Sequence, residues 1–238
     1  MQKIILSALA ATSLLVAANA EETPIISHAE IGYVSTTGNT ETQTLTFDAN
    51  IKKDWDKHAF KVKADASYGK DEDVTTRNKY SIEGNYDYKF TQTIAFNYLG
   101  AYKRDKFTDY NYQAYTGPGM KVQAIKNEQH LLDLTASVLY SFDQYRVNDE
   151  NDDYASYKIE AVYDFTIMEN LKFHQDFGYR ASFEDSEKYF INSKSAITTK
   201  ISDILSAGLS YKIDYINDVV EGTEKSDNTL AFNLIFDY

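Results

Sequence analysis

From about residue 28 onward, apolar and polar side chains alternate with a period of two. That pattern marks extended strands whose two faces meet different surroundings. Phe60, Val62, Ala64, Ala66 and Tyr68 fall on one face, with Lys61, Lys63, Asp65 and Ser67 on the other. Tyr80, Ile82, Gly84, Tyr86, Tyr88 and Phe90 stand against Ser81, Glu83, Asn85, Asp87 and Lys89. Similar apolar rows run through Leu132–Phe142, Tyr157–Phe165 and Leu205–Tyr215, and none of these rows contains a charge. The chain ends on Leu230, Phe232, Leu234, Phe236 and Tyr238 along one face, with Ala231, Asn233 and Asp237 opposite.

Read this way, the sequence predicts about twelve strands: 28–36, 42–54, 58–69, 77–90, 93–104, 110–124, 129–144, 154–167, 171–182, 188–201, 205–216 and 228–238. Each is long enough to cross a bilayer at a tilt. Gly117-Pro118-Gly119 interrupts the sixth and predicts a bulge or kink there. Short connections at 55–57, 90–92, 126–128, 169–170 and 202–203 alternate with longer acidic ones at 69–76, 146–153, 183–188 and 217–227. The first hairpin, Thr37-Gly38-Asn39-Thr40, is a short exception on the loop side. The expected fold is all-β, a transmembrane antiparallel up-and-down β-barrel of about 12 strands, whose last strand closes on the first because lipid tolerates no open edge. A soluble lipocalin-like barrel or β-sandwich with the apolar rows turned inward has the same periodicity. Strand length, alternating connections and an aromatic final strand favour the membrane.

Composition narrows the choice. The chain has 20 Tyr and 13 Phe but only two prolines, which suits aromatic girdles on a nearly continuous strand ladder. With no cysteine, disulfides and thiolate chemistry are excluded. Residues 1–20 read as a cleaved signal peptide: Lys3, an apolar run over 4–18, then Ala18-Asn19-Ala20. One domain, 21–238, remains, with 23 basic against 36 acidic residues and a net charge of −13. Such a balance excludes nucleic acid as a partner. The expected location is a bacterial outer membrane. The expected partners are its lipids and lipopolysaccharide, together with the barrel-assembly machinery, engaged through the strand ending at Tyr238.

The stretch from Ile31 to Leu45, with its Gly32-Tyr33, Gly38-Asn39-Thr40 and Thr-rich sequel, resembles the opening of the salt-induced outer-membrane protein family, a bacterial domain of unknown function. The resemblance implies an outer-membrane barrel and a link to salt or envelope stress, and it carries no catalytic residues. Gly38-Asn39 also has a physical reading, because a tight hairpin needs residues that accept positive φ.

Candidate chemistry is sparse. His28, His58, His130 and His174 show no ligand-like spacing for a metal, and no His is followed two residues later by Ser as in the phospholipase type of barrel. The acidic runs Asp71-Glu72-Asp73 and Asp152-Asp153 read as solvated charge, with weak divalent-cation binding as the sharper alternative. No cofactor is implied. The polar rows are more informative. Lys61, Lys63, Asp65, Glu83, Asp87, Lys89, Asp133, Lys158, Glu160, Asp164, Lys172, Asp176, Arg180, Lys194, Lys212 and Asp214 all face the lumen in this register. Paired, they would pack it as a polar core; unpaired, they would line a wet path. About twelve strands lies between roughly eight, which fill their own interior, and roughly sixteen, which leave a channel, so both readings stand. The sequence therefore points to a non-enzymatic barrel with a structural, envelope-stress role or a narrow passage for ions and small solutes. A barrel hydrolase is the alternative, and a loop-built adhesin ranks last.

Overall fold

A computed structural model describes residues 24–36, 42–146, 149–220 and 223–237. The segment read as a signal peptide, the turn at 37–40 and Tyr238 lie outside these residues. Twelve strands follow one another: β1 (Ile25–Thr36), β2 (Thr42–Trp55), β3 (His58–Asp71), β4 (Val74–Lys89), β5 (Ile94–Asp105), β6 (Tyr110–Lys126), β7 (His130–Tyr145), β8 (Asn151–Met168), β9 (Leu171–Ser182), β10 (Tyr189–Lys200), β11 (Leu205–Ile216) and β12 (Ser226–Asp237). Every strand pairs antiparallel with its neighbours in the chain, and β12 closes on β1 from His28↔Asp237 to Tyr33↔Phe232. Closure satisfies the backbone groups that two free edges would expose to lipid.

The alternation resolves into an outer and an inner wall. Tyr80, Ile82, Val138, Ile159, Leu209, Phe232 and Leu234 are exposed on the outside, whereas Glu30, Lys79, Asn97, Asp143, Arg180 and Asp214 are buried within. Aromatic rows flank the outer apolar band at both ends. At the end carrying the longer connections (the loop end), Tyr157, Tyr179, Tyr189 and Tyr215 follow one another with ring centroids 5.7–6.0 Å apart. At the opposite, turn end, Trp55 stacks on His58 at 5.7 Å and His130 on Phe165 at 4.7 Å.

Three expectations are corrected. The long acidic loop at 69–76 is a two-residue hairpin: Asp71 pairs with Val74, and Glu72 and Asp73 take φ of 43° and 69°. Two positive φ values match the twist of the flanking strands, so the ladder runs on where charge had suggested a solvated loop. Replacing Glu72-Asp73 by Asn-Gly is expected to stabilise the barrel by about 1 kcal/mol, since the left-handed region strains residues other than Gly and Asn. A denaturant midpoint unchanged by that swap counts against it. Second, the loop at 146–153 shortens because β8 starts at Asn151, with Asp152 opposite Asp143. Directly opposed like charges repel, but Lys188 lies between them, 2.6 Å from Asp152 and 3.5 Å from Asp143. Third, no register shift occurs at Gly117-Pro118-Gly119. The irregularities of β6 lie at 110/112 and 123/125 instead. Pro118 lacks a donor, so pairing to β7 lapses at Gly117 and Pro118 while the register is kept. The strands approach closely here: a Cβ on Gly117 would sit 2.1 Å from the Val138 carbonyl oxygen.

Candidate functional site: an ion-paired lumen

The inner wall encloses a cavity of about 860 Å³. It reaches the turn end, where Glu169, Asn170 and Asp203 line it, and narrows at the level of Tyr115 and Lys79 to a pocket of about 20 Å³ against Ser67, Ser210 and Thr229. Among the described residues the lumen is therefore a vestibule entered from the turn end.

Side chains that meet across the barrel cap this vestibule. Lys63 on β3 lies 3.1 Å from Glu160 on β8 and 3.2 Å from Asp176 on β9, and β3 and β9 stand six strands apart in the ring of twelve. Lys158 returns the contact from β8, 2.9 Å from Glu83 on β4 and 2.7 Å from Glu160 beside it. Further pairs brace the other walls: Lys212 to Asp65 at 2.8 Å, Lys194 to Glu30 at 2.7 Å and to Asp48 at 3.5 Å, and Lys79 to Asp214 and Asp227. Lys121 bridges Asp87 at 3.4 Å and Asp133 at 3.2 Å. Charges withdrawn from bulk water are tolerated only when paired and hydrogen-bonded. Alternation of sign across the lumen meets that condition.

Towards the loop end the interior is packed. Tyr110, Phe190 and Ile216 form a buried apolar cluster, with Tyr145 and Val219 against it. Beneath it the Arg180 guanidinium lies 4.1 Å from the Phe190 ring centroid and 4.7 Å from that of Tyr115, and donates to Ser141 Oγ and Tyr154 Oη at 2.9 Å each. Tyr154 Oη donates in turn to Asp143, which is 1 % exposed. Flat, forked and weakly hydrated, a guanidinium suits this sandwich better than an ammonium. Arg180→Lys is expected to cost about 2 kcal/mol through lost stacking and a lost hydrogen bond. An unchanged unfolding midpoint in urea-titrated vesicles would show the sandwich to be energetically idle.

Of the residues singled out in the sequence, Lys61, Lys63, Asp65, Glu83, Lys158, Glu160, Asp164, Lys172, Asp176, Lys194, Lys212 and Asp214 line the vestibule. Asp87 and Asp133 meet at Lys121. Lys89 pairs with Asp54 at 2.8 Å near the turn-end rim, and Arg180 belongs to the packed loop-end half. Glu30, Asp48, Lys79, Lys103 and Lys121 were not among the candidates. The same period-two rule places them inward; Lys79, for instance, extends the Ser81–Lys89 row by one step. Asp143 and Lys188 follow it too, Asp143 extending the Asp133–Ser141 row and Lys188 the row of Asn192 and Lys194; what the rule does not record is that they meet.

The histidines partner acids and tyrosines: His28 with Asp237 and His174 with Asp164 at 2.7 Å, His58 with Tyr86 and His130 with Tyr163 at 2.7 Å. Ser141 and Ser156 share a 2.8 Å hydrogen bond beside Arg180. Among the described residues no group of three His, Cys, Asp or Glu is arranged to hold a metal ion, and Asp152 is already engaged by Lys188.

A family model described as a protein of unknown function, DUF481, matches residues 29–238. No curated protein matches the sequence. Among solved structures, the NanC porin is similar with a TM-score of 0.53 at 12 % identity, over 88 % of this chain and 98 % of that one. An outer membrane channel from Pseudomonas putida F1 is similar with a TM-score of 0.53 at 7 % identity, over 94 % of this chain and all of that one. At such identities the likeness is one of fold: the closed, membrane-spanning barrel.

Proposed function

The chain belongs to the DUF481 family of proteins of unknown function, so its task has to be read from the barrel itself, and we propose that it is a non-enzymatic outer-membrane channel, closed at rest, for ions and small solutes. The vestibule faces the periplasm and the packed half faces outward, following the usual assignment of tight turns to the periplasm. A porin and an outer membrane channel as similar folds support this reading.

The observation that carries it is what the obstruction is made of. A polar vestibule of about 860 Å³ is crossed by Lys63 and Lys158 and closed beyond them by a layer of side chains around Tyr115, Arg180, Phe190 and Tyr110, rather than by a plug domain. Closure by side chains rather than by a folded domain lets the path open through rotamer changes and small shifts of Lys63, Arg180 and the rings beside it, without refolding of the barrel. Wild-type protein in planar bilayers is expected to give small, flickering conductance. Lys63→Gln is expected to raise it and shift the reversal potential towards cation preference, because Asp176 then loses its partner. Silence of both proteins counts against the channel. It favours a second reading, a closed barrel with an envelope-structural role, for which the solvent-shielded interior at Ser141, Asp143 and Ser156 speaks.

A further inference from the structure

Lys61 breaks the pairing rule of the inner wall. Its side chain lines the vestibule, yet among the described residues it makes no hydrogen bond and has no carboxylate within 4.0 Å. Lys63, Lys121, Lys158 and Lys212 each hold at least one. Its strongest electrostatic neighbours are two further ammonium groups, Lys63 and Lys121, ahead of the carboxylates of Glu160 and Asp176. Both of those carboxylates are already taken by Lys63, and Glu160 by Lys158 as well. Diagonally across the β2–β3 ladder, Asn50 also lines the vestibule, and among the described residues its side-chain amide makes no hydrogen bond.

A partly desolvated ammonium beside like charges is unfavourable unless something negative joins it. The wall offers nothing, whereas the open cavity can admit a solute. We propose that the vestibule binds a small anion, a carboxylate or a phosphate, whose charge rests on Lys61 Nζ and whose oxygen accepts a hydrogen bond from Asn50 Nδ2. The proposal deepens the reading of the vestibule as a solute compartment and rests on it. Glu160 and Asp176, held by Lys63, form the floor that keeps the anion from moving deeper.

The test is amine labelling of the full barrel in bicelles with an N-hydroxysuccinimide ester, read by peptide mass spectrometry. Inorganic phosphate and acetate are each compared with chloride at equal ionic strength. Phosphate or acetate is expected to slow labelling of Lys61, about fivefold at four times its Kd by mass action, and to leave the exposed rim residue Lys172 unchanged. Asn50→Ala is expected to weaken this protection. Equal slowing at both lysines, no slowing in either salt, no labelling of Lys61 at all, or full protection in Asn50→Ala each overturns the site as drawn. Labelling does not depend on conductance. A barrel silent in planar bilayers that still protects Lys61 overturns the channel and keeps the anion site.

Discussion

Lys158→Met is expected to cost the barrel about 3 kcal/mol of folding free energy, measured by urea titration in lipid vesicles. The side chains of Lys158, Glu83 and Glu160 are 12 %, 13 % and 15 % exposed, so solvent screens their pairing only in part. Removing the ammonium leaves Glu83 without a close counter-charge: Lys63 stands 3.9 Å away, and only the neutral amide of Asn85 donates to it, at 2.9 Å. An uncompensated carboxylate in a poorly solvated wall causes the loss, rather than the missing attraction itself. The triple variant Lys158→Met, Glu83→Gln, Glu160→Gln is therefore expected to recover most of the stability, because neutral groups of similar shape carry little desolvation cost. A single variant within about 0.5 kcal/mol of wild type would mean that water screens the septum fully. The ion pairs could not then close the lumen.

Phe232→Arg is expected to destabilise by about 2–4 kcal/mol, the range for a cation near the middle of the lipid-facing surface. Phe232 is 70 % exposed on the closing strand, opposite Tyr33 on β1 and Leu209 on β11, away from both aromatic rows. The same substitution at Thr198, whose side chain lines the vestibule, is expected to change stability by less than about 1 kcal/mol, because the new guanidinium meets water. Equal costs at the two positions would remove the distinction between outer and inner wall, and with it the membrane reading.

Much of this architecture is legible along the chain. Strand β9 coincides with the predicted 171–182, and β11 with 205–216. Side-chain direction in a strand depends only on the parity of the position, so a row such as Tyr80–Tyr88 declares its face without knowledge of its neighbours. Errors fell where that local rule competes with something else. At Glu72-Asp73 the acidic composition suggested a loop, but backbone twist made a hairpin. Around Pro118 a missing donor suggested a bulge, but the register held because both neighbouring strands fix it.

Sequence by itself determined a barrel of about twelve strands, the two opposed faces of each strand, and that the polar face is charged in both signs. Only the tertiary structure decided which charges meet, that the lumen is a one-sided vestibule, and that Lys61 is left over. Lys63 finds Glu160 and Asp176 across 97 and 113 residues of chain. The stagger of the closed barrel sets that encounter, adding up one register after another around the ring. Periodicity within a strand holds no record of that sum.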